Sequence, residues 1–404
     1  MVVADLLALS IRGKTKRTAL IVDPALQAVG GHHYASAERL AVELFASGAE
    51  CGVLCAAKAD QAVVDTLKAD RCFSETIYGR TDPGMLEFER RARVLSKELA
   101  RAVRWDCPDL LVLPTCDQVL LYAVALCIRS IGRGWQPRIL AWFLYPPDDA
   151  AANAEYRVAA SALKASLRST TQLHACCETS AAKRVFEDCL HFSLEKRPGP
   201  SPVRGVIADR RTDVGAGLRT PVIACVGHAN IGKGYAQLPD ALSLAIVENK
   251  RLTFKVHGFI DRRDTVQDHE TFLKLAALGP AVSVYNRVLT TPEYQAFIAA
   301  ADILLLPYVP KVYRSRGSGV FNEAERLGKP VIAPRDCTFA EDAFGENRAV
   351  PIEGEGSRAI ADAIAEAVRT LSHLEGEAIA YARGRTDDLR QLLTRLLSVN
   401  HELC

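Results

Sequence analysis

The chain has almost no net charge. Its 50 lysines and arginines nearly balance 48 aspartates and glutamates, giving a formal charge of +2. A protein that docks on polyanions usually carries a basic excess, so no nucleic-acid partner is expected. Long apolar runs are also missing. None reaches the roughly 18 residues of a membrane-spanning helix. Residues 1–17 carry their apolar block before their basic block, the reverse of a signal peptide. They read as a first helix that packs on the core or frays, with a weak amphipathic membrane contact as the other reading. Zinc-ligand spacing is absent too. Neither Cys51 with Cys55 nor the adjacent Cys176 and Cys177 forms a C-x-x-C pair, so no metal is expected. A chain of 404 residues needs no disulfide staples, and its 12 cysteines read as reduced, mostly buried thiols in a cytoplasmic protein. There is no short-period repeat and no low-complexity tract.

What is present is an ordinary globular composition, 49% hydrophobic and 24% charged, in a chain long enough for two domains. Short apolar runs alternate with helix-period segments almost throughout. In the first half the strand candidates are residues 19–22, 51–55, 75–78, 109–113, 138–145 and 172–175. Helical patterns fall at 34–46, 86–103, 118–130, 150–167 and 181–189. Between 196 and 220 the pattern breaks into a segment with three prolines, four glycines and five arginines, the composition of a linker. The alternation then restarts. Strands are expected at 222–226, 252–257, 282–285, 303–307 and 330–333, with helices at 271–278, 291–300, 357–382 and 387–398 among others. Continuous apolar strands with covering helices indicate parallel sheets. The fold class is α/β, with two Rossmann-like doubly wound domains facing across a cleft. The expected boundaries are 1–200, a linker at 201–220, a second domain at 221–385, and a C-terminal helix at 386–404 that packs back on the first domain.

Two loop-to-helix junctions of the second half invite phosphate. The first runs from Gly227 through His228 to Lys233 and Gly234. Its glycines let backbone approach a ligand, and Lys233 offers a point charge; the alternative is a plain loop with an exposed lysine. It is not a P-loop, because no Ser or Thr follows the lysine. The second junction is the run RGSGVFNEAERLGKPVI at 316–332. Here a helix that begins on Gly317, Ser318 and Gly319 aims backbone N–H groups outward, where they and the helix dipole favour phosphate. Glu323, one turn in, is placed to bond a sugar hydroxyl, or is simply a solvated carboxylate.

The order of these pieces resembles the donor-binding domain of retaining GT-B glycosyltransferases of the family 4 type, also called group 1 glycosyltransferases. The matching pieces are a strand, G-x(5)-K-G, a strand ending in Gly258, ADILLLPY at 301–308 and SGVFNEAERLGKPVI. The resemblance covers about residues 221–333 and implies a nucleotide-diphosphate sugar as donor, with no cofactor and no metal. It implies that Lys233 and the loop at Gly227 and His228 hold the diphosphate. The backbone of Ser318, Gly319 and Val320 would bind its phosphates, Glu323 the ribose, and backbone near Val288 the base. Lys233 and Glu323 are the residues on which catalysis would rest. Where many members carry a further Glu, this chain has Ser315 between Arg314 and Arg316. Arg316 is a candidate for the missing positive charge, or else a surface arginine.

The first half resembles the family's acceptor side more loosely. Gly31 stands where backbone would approach the diphosphate or the acceptor. His32 and His33 read as helix-entry polar residues, or as one imidazole facing the cleft. Asp117 reads as the N-cap of the helix starting at Gln118, or as a ligand group at a strand end. The function implied is hexosyl transfer to an acceptor hydroxyl with retention, in bacterial polysaccharide or glycoconjugate synthesis. The acceptor would be a saccharide, lipid-linked or small molecule, with peripheral membrane contact as an option. Two other readings stay open: a GT-B nucleotide-sugar epimerase or hydrolase, and a catalytically silent nucleotide-binding GT-B partner protein.

Overall fold

The computed structural model describes residues 17–78, 84–103, 107–132, 134–200, 220–227, 229, 231–258, 266–385 and 388–398. Residues 1–16, most of the expected linker and His228 lie outside this set. The chain forms two compact units, Met1–Pro202 with Asp387–Cys404, and Val203–Thr386.

The first unit contains β1 Thr18–Val22, α1 Gly31–Ala46, β2 Glu50–Ala56, α2 Gln61–Leu67, β3 Asp70–Phe73, α3 Met85–Val103 and β4 Leu110–Leu113. It continues with α4 Gln118–Ile131, β5 Arg138–Phe143, α5 Ala150–Ser166, β6 Leu173–Cys177, α6 Ser180–Leu190 and β7 Leu194–Lys196. The strands lie in the order β3-β2-β1-β4-β5-β6-β7, and every pairing is parallel. The sheet is buried on both faces, which is why its central strands read as unbroken apolar runs. On β5, Ile139, Ala141 and Phe143 enter a core shared with α3, α4, α5 and α6. Leu140 and Trp142 of the same strand enter the opposite core with α1 and α2.

The second unit holds β8 Val222–Cys225, α7 Leu238–Glu248, β9 Thr253–His257, α8 Val266–Ala276, β10 Val282–Tyr285, α9 Thr291–Ala299 and β11 Ile303–Leu305. After these come α10 Pro310–Tyr313, α11 Gly319–Arg326, β12 Val331–Pro334, α12 Glu341–Gly345, β13 Ala349–Ile352, α13 Ser357–Arg369 and α14 Leu371–Gly384. Its strand order is β10-β9-β8-β11-β12-β13, again wholly parallel. Two cores sandwich it, one under α7 and α13, the other under α11.

The final helix, α15 Asp388–Ser398, belongs to the first unit. Leu389, Leu392, Leu393 and Leu397 place one apolar face in the core beneath α1. Arg390 Nε donates to the buried Glu43 at 2.8 Å, and Arg138 donates to the Leu396 carbonyl at 2.6 Å.

Some expected elements differ. Residues 75–78 are an irregular loop. The strand is the earlier, mostly polar Asp70–Phe73 at the sheet edge, where only Phe73 is buried. The polar strand expected at 172–175 runs from Leu173 to Cys177. The long helix expected at 357–382 is two helices, parted at Thr370, whose hydroxyl bonds back to the Glu366 carbonyl at 2.8 Å. No helix among the described residues is long and apolar enough to cross a membrane.

Leu393 is fully buried, and its truncation leaves a cavity between α15 and α1. Leu393→Ala is expected to cost about 2–5 kcal/mol in denaturant unfolding, whereas a loss below about 0.5 kcal/mol would mean that α15 does not contribute to this core.

Candidate functional site

The second unit's strand order reverses direction between β8 and β11, so the loops leaving their carboxyl ends diverge and open a crevice. Gly227 follows β8 with φ 132. A Cβ there would stand 2.4 Å from Lys233 Nζ, so the absent side chain is what makes room for the ammonium group. Lys233 closes a short 3-10 turn, Ile231–Lys233. Its Nζ lies 5.5 Å from the ring centre of Tyr308, just beyond β11. Gly234 has φ 71, and a Cβ on it would fall 1.8 Å from the Pro307 carbonyl oxygen. Val309 N–H donates to the Gly232 carbonyl at 2.9 Å. The lysine loop is thereby fixed to the end of β11, and Tyr235 ties it to β9 through a 2.7 Å bond to the His257 carbonyl.

Ser318 is the N-cap of α11. Its hydroxyl accepts from Phe321 N–H at 3.2 Å and donates to Tyr308 Oη at 3.4 Å. The amides of Gly319 and Val320, in the first turn, have no acceptor among the described residues, as expected where a helix start meets a ligand or solvent. Glu323 sits one turn further and is 8% exposed. Tyr294 of α9 donates to its Oε2 at 2.6 Å. Burial pushes the Glu323 carboxyl up to about 7, against the downward pull of the Tyr294 hydrogen bond and of Lys233 and Arg326. Gly227, Lys233, Tyr308, Ser318 and Glu323 therefore form one connected constellation.

Arg314 and Arg316 are exposed and Ser315 is half-buried, on the stretch between α10 and α11. Val288 is 69% exposed in the loop after β10, beside the Arg287–Glu293 ion pair. Gly31 is in the first unit, with φ 69 at the start of α1. Asp117, also in the first unit, caps α4 by accepting from Leu120 N–H at 2.8 Å. Burial pushes its carboxyl up to about 6. Tyr294 and Tyr308 were not singled out from the sequence. Tyr308 ends the ADILLLPY run and was open to assignment; Tyr294 has no local signal.

One group of metal-type ligands does converge: His174 and Cys176 of β6 with Glu195 of β7, their ligand atoms within 4.8 Å of one another. Arg197 pairs with Glu195 at 2.6 Å, and burial raises the Cys176 pKa and keeps the thiol protonated. The guanidinium already supplies the positive charge that the carboxylate needs.

Residues 220–370 match the family model described as glycosyl transferases group 1. No curated protein matches the chain by sequence. Among solved structures, a glycosyltransferase from Rickettsia africae aligns with a TM-score of 0.63 at 14% identity, over 96% of this chain and 100% of that one. Anabaena Alr3699/HepE in complex with UDP aligns with a TM-score of 0.65 at 15% identity, over 94% and 99%. The α,α-trehalose 6-phosphate synthase of Burkholderia multivorans gives 0.61 at 13%, over 95% and 98%. The fold is that of the GT-B glycosyltransferases, with two Rossmann-like domains.

The raised carboxyl of Glu323 has a thermodynamic sign. Its folded value exceeds its ordinary one, 4.5, so the folded state holds the proton more tightly. The associated stability is present below about pH 4.5 and is lost as pH rises through about 7. Glu323→Gln, which cannot ionise, is expected to be more stable than wild type above pH 7, by at most about 3 kcal/mol. Thermal unfolding from pH 4 to 8.5 checks this, and a difference independent of pH would contradict it.

Proposed function

We propose that this protein transfers a hexosyl group from a nucleotide-diphosphate sugar to an acceptor hydroxyl, with retention of configuration and without a metal ion. The observation that carries the reading is the joint placement of Lys233, the open amides of Gly319 and Val320, and Glu323 around the end of β11. Two phosphate-binding devices and one carboxylate suited to ribose hydroxyls, on one sheet edge, describe a nucleoside diphosphate. The matched family model and the GT-B fold support the same reading.

In this reaction the bond between the sugar's anomeric carbon and the diphosphate oxygen breaks, and the departing diphosphate takes the electron pair. The acceptor oxygen bonds to the same face of that carbon, and its proton passes to the leaving phosphate. The protein's contribution is electrostatic: the Lys233 ammonium and the start of α11 meet the charge that grows on the diphosphate. Arg316 is a further candidate for that charge, from an exposed position. Backbone near Val288 is proposed to meet the base, and Gly31 the acceptor side. His228 belongs to the same proposed phosphate loop but lies outside the described residues. We assign the reaction to the cytoplasm, in polysaccharide or glycoconjugate synthesis.

The first test is calorimetry of UDP, GDP, ADP and dTDP without metal, on wild type and Glu323→Ala. UDP comes first because the HepE structure holds it. One nucleotide is expected to bind, more weakly in the variant; no binding at millimolar concentration would remove the transferase reading and favour a silent partner protein. Lys233→Ala is expected to lower turnover about a hundredfold, the loss of one transition-state interaction of about 2–4 kcal/mol. Near-normal turnover would take Lys233 out of its role. Release of free sugar or an epimer without acceptor would instead indicate a hydrolase or epimerase.

A further inference from the structure

The carboxyl edge of the first unit's sheet gathers a second cluster, unused by the donor reading. Asp23 follows β1 and is fully buried. Its Oδ1 accepts from Ala25 N–H at 3.0 Å, and its Oδ2 lies 2.7 Å from Nδ1 of His33, in the first turn of α1. A carboxylate only accepts, so Nδ1 carries a proton, and in the neutral form of the ring Nε2 is left as an acceptor. Tyr78 Oη lies 2.8 Å from that Nε2 and 3.3 Å from Nε2 of His32. Tyr78 is itself held in place, because the buried Arg91 of α3 bonds the carbonyls of Thr76 and Tyr78.

The surroundings indicate what could meet this nitrogen. Tyr78 and Tyr145, which follow β3 and β5, are 41% and 42% exposed and pack edge to face at 6.3 Å. The acid that orients His33 is buried and fully engaged, so it presents no charge to solvent. An acceptor nitrogen of fixed tautomer beside two exposed aromatic faces suits a ligand with hydroxyl donors and apolar C–H faces. That is the chemistry of a neutral sugar ring.

We propose that His33 Nε2, oriented by Asp23, is a hydroxyl-binding site for a neutral saccharide acceptor, with Tyr78 Oη occupying the position that the saccharide hydroxyl takes. The ligand class rests on the transferase reading above; the Asp23–His33–Tyr78 geometry does not.

The experiment is NMR of protein carrying ¹⁵N-labelled histidine side chains. UDP is titrated first, then the methyl α-pyranosides of glucose, galactose and mannose. One imidazole of nine, assigned by its loss in His33→Gln, is expected to shift saturably with at least one glycoside. His33→Gln is expected to weaken that glycoside about tenfold, the loss of one hydrogen bond. Tyr78→Phe is expected to bind it as well as wild type or better, because the competing hydroxyl is gone. Unaltered His174 and His191 signals in both variants, from the same unit as His33, show that this unit is folded. If UDP binds but no glycoside moves the His33 signal, the hydroxyl site is overturned and the donor reading stands. If none of UDP, GDP, ADP and dTDP binds while the His33 signal responds, the donor reading fails and the hydroxyl site stands. Abolition of glycoside binding by Tyr78→Phe with His33→Gln unaffected would also overturn the proposal.

Discussion

Burial of both faces of each parallel sheet is the constraint from which the rest follows. A strand whose neighbouring side chains enter opposite cores has no face on which to carry polar chemistry. On β4, Leu111 and Leu113 go one way and Leu110 and Val112 the other. On β11 the same division sets Leu304 against Ile303 and Leu305. Reactive groups therefore collect where the strands end. Asp23, Asp117, Gly227, Lys233 and Tyr308 all follow the carboxyl ends of the strands that flank the reversal in strand order.

Within the second unit, close approach of backbone does the positioning. Gly227 leaves the space that the Lys233 ammonium fills, and Gly234 lies against the Pro307 carbonyl. Tyr308 then joins the lysine loop to the start of α11, with its ring near Lys233 and its hydroxyl bonded to the cap of α11. A serine N-cap is worth about 1 kcal/mol to a helix; here the same hydroxyl also sets where the helix begins relative to β11.

Much of the fold was legible because buried parallel strands write themselves as apolar runs, and residues 110–113, 139–143 and 303–305 are examples. The start of α11 was legible from its small residues, which favour caps over helix interiors. The edge strand Asp70–Phe73 was missed because an edge needs only one buried side chain, and its DRCF sequence shows no alternation. The division at Thr370 was hidden by a helical period that continues across it. The partners of the site residues were the least legible. Tyr294 reaches Glu323 across 29 positions, and Tyr78 reaches His33 across 45. Contacts of that span leave no mark in local periodicity; only the assembled sheet edge creates them.

The burial of Glu323 gives the second unit a property apart from affinity or rate. Near neutral pH this side chain is poised between its two protonation states, because its folded value is about 7. Any ligand whose hydroxyl groups require the carboxylate form will expel the remaining proton as it docks. Occupancy of the site would then acidify the medium by a fraction of a proton per molecule. The heat of binding would carry the ionisation enthalpy of whichever buffer receives that proton, so the same contacts would register different enthalpies in phosphate and in Tris.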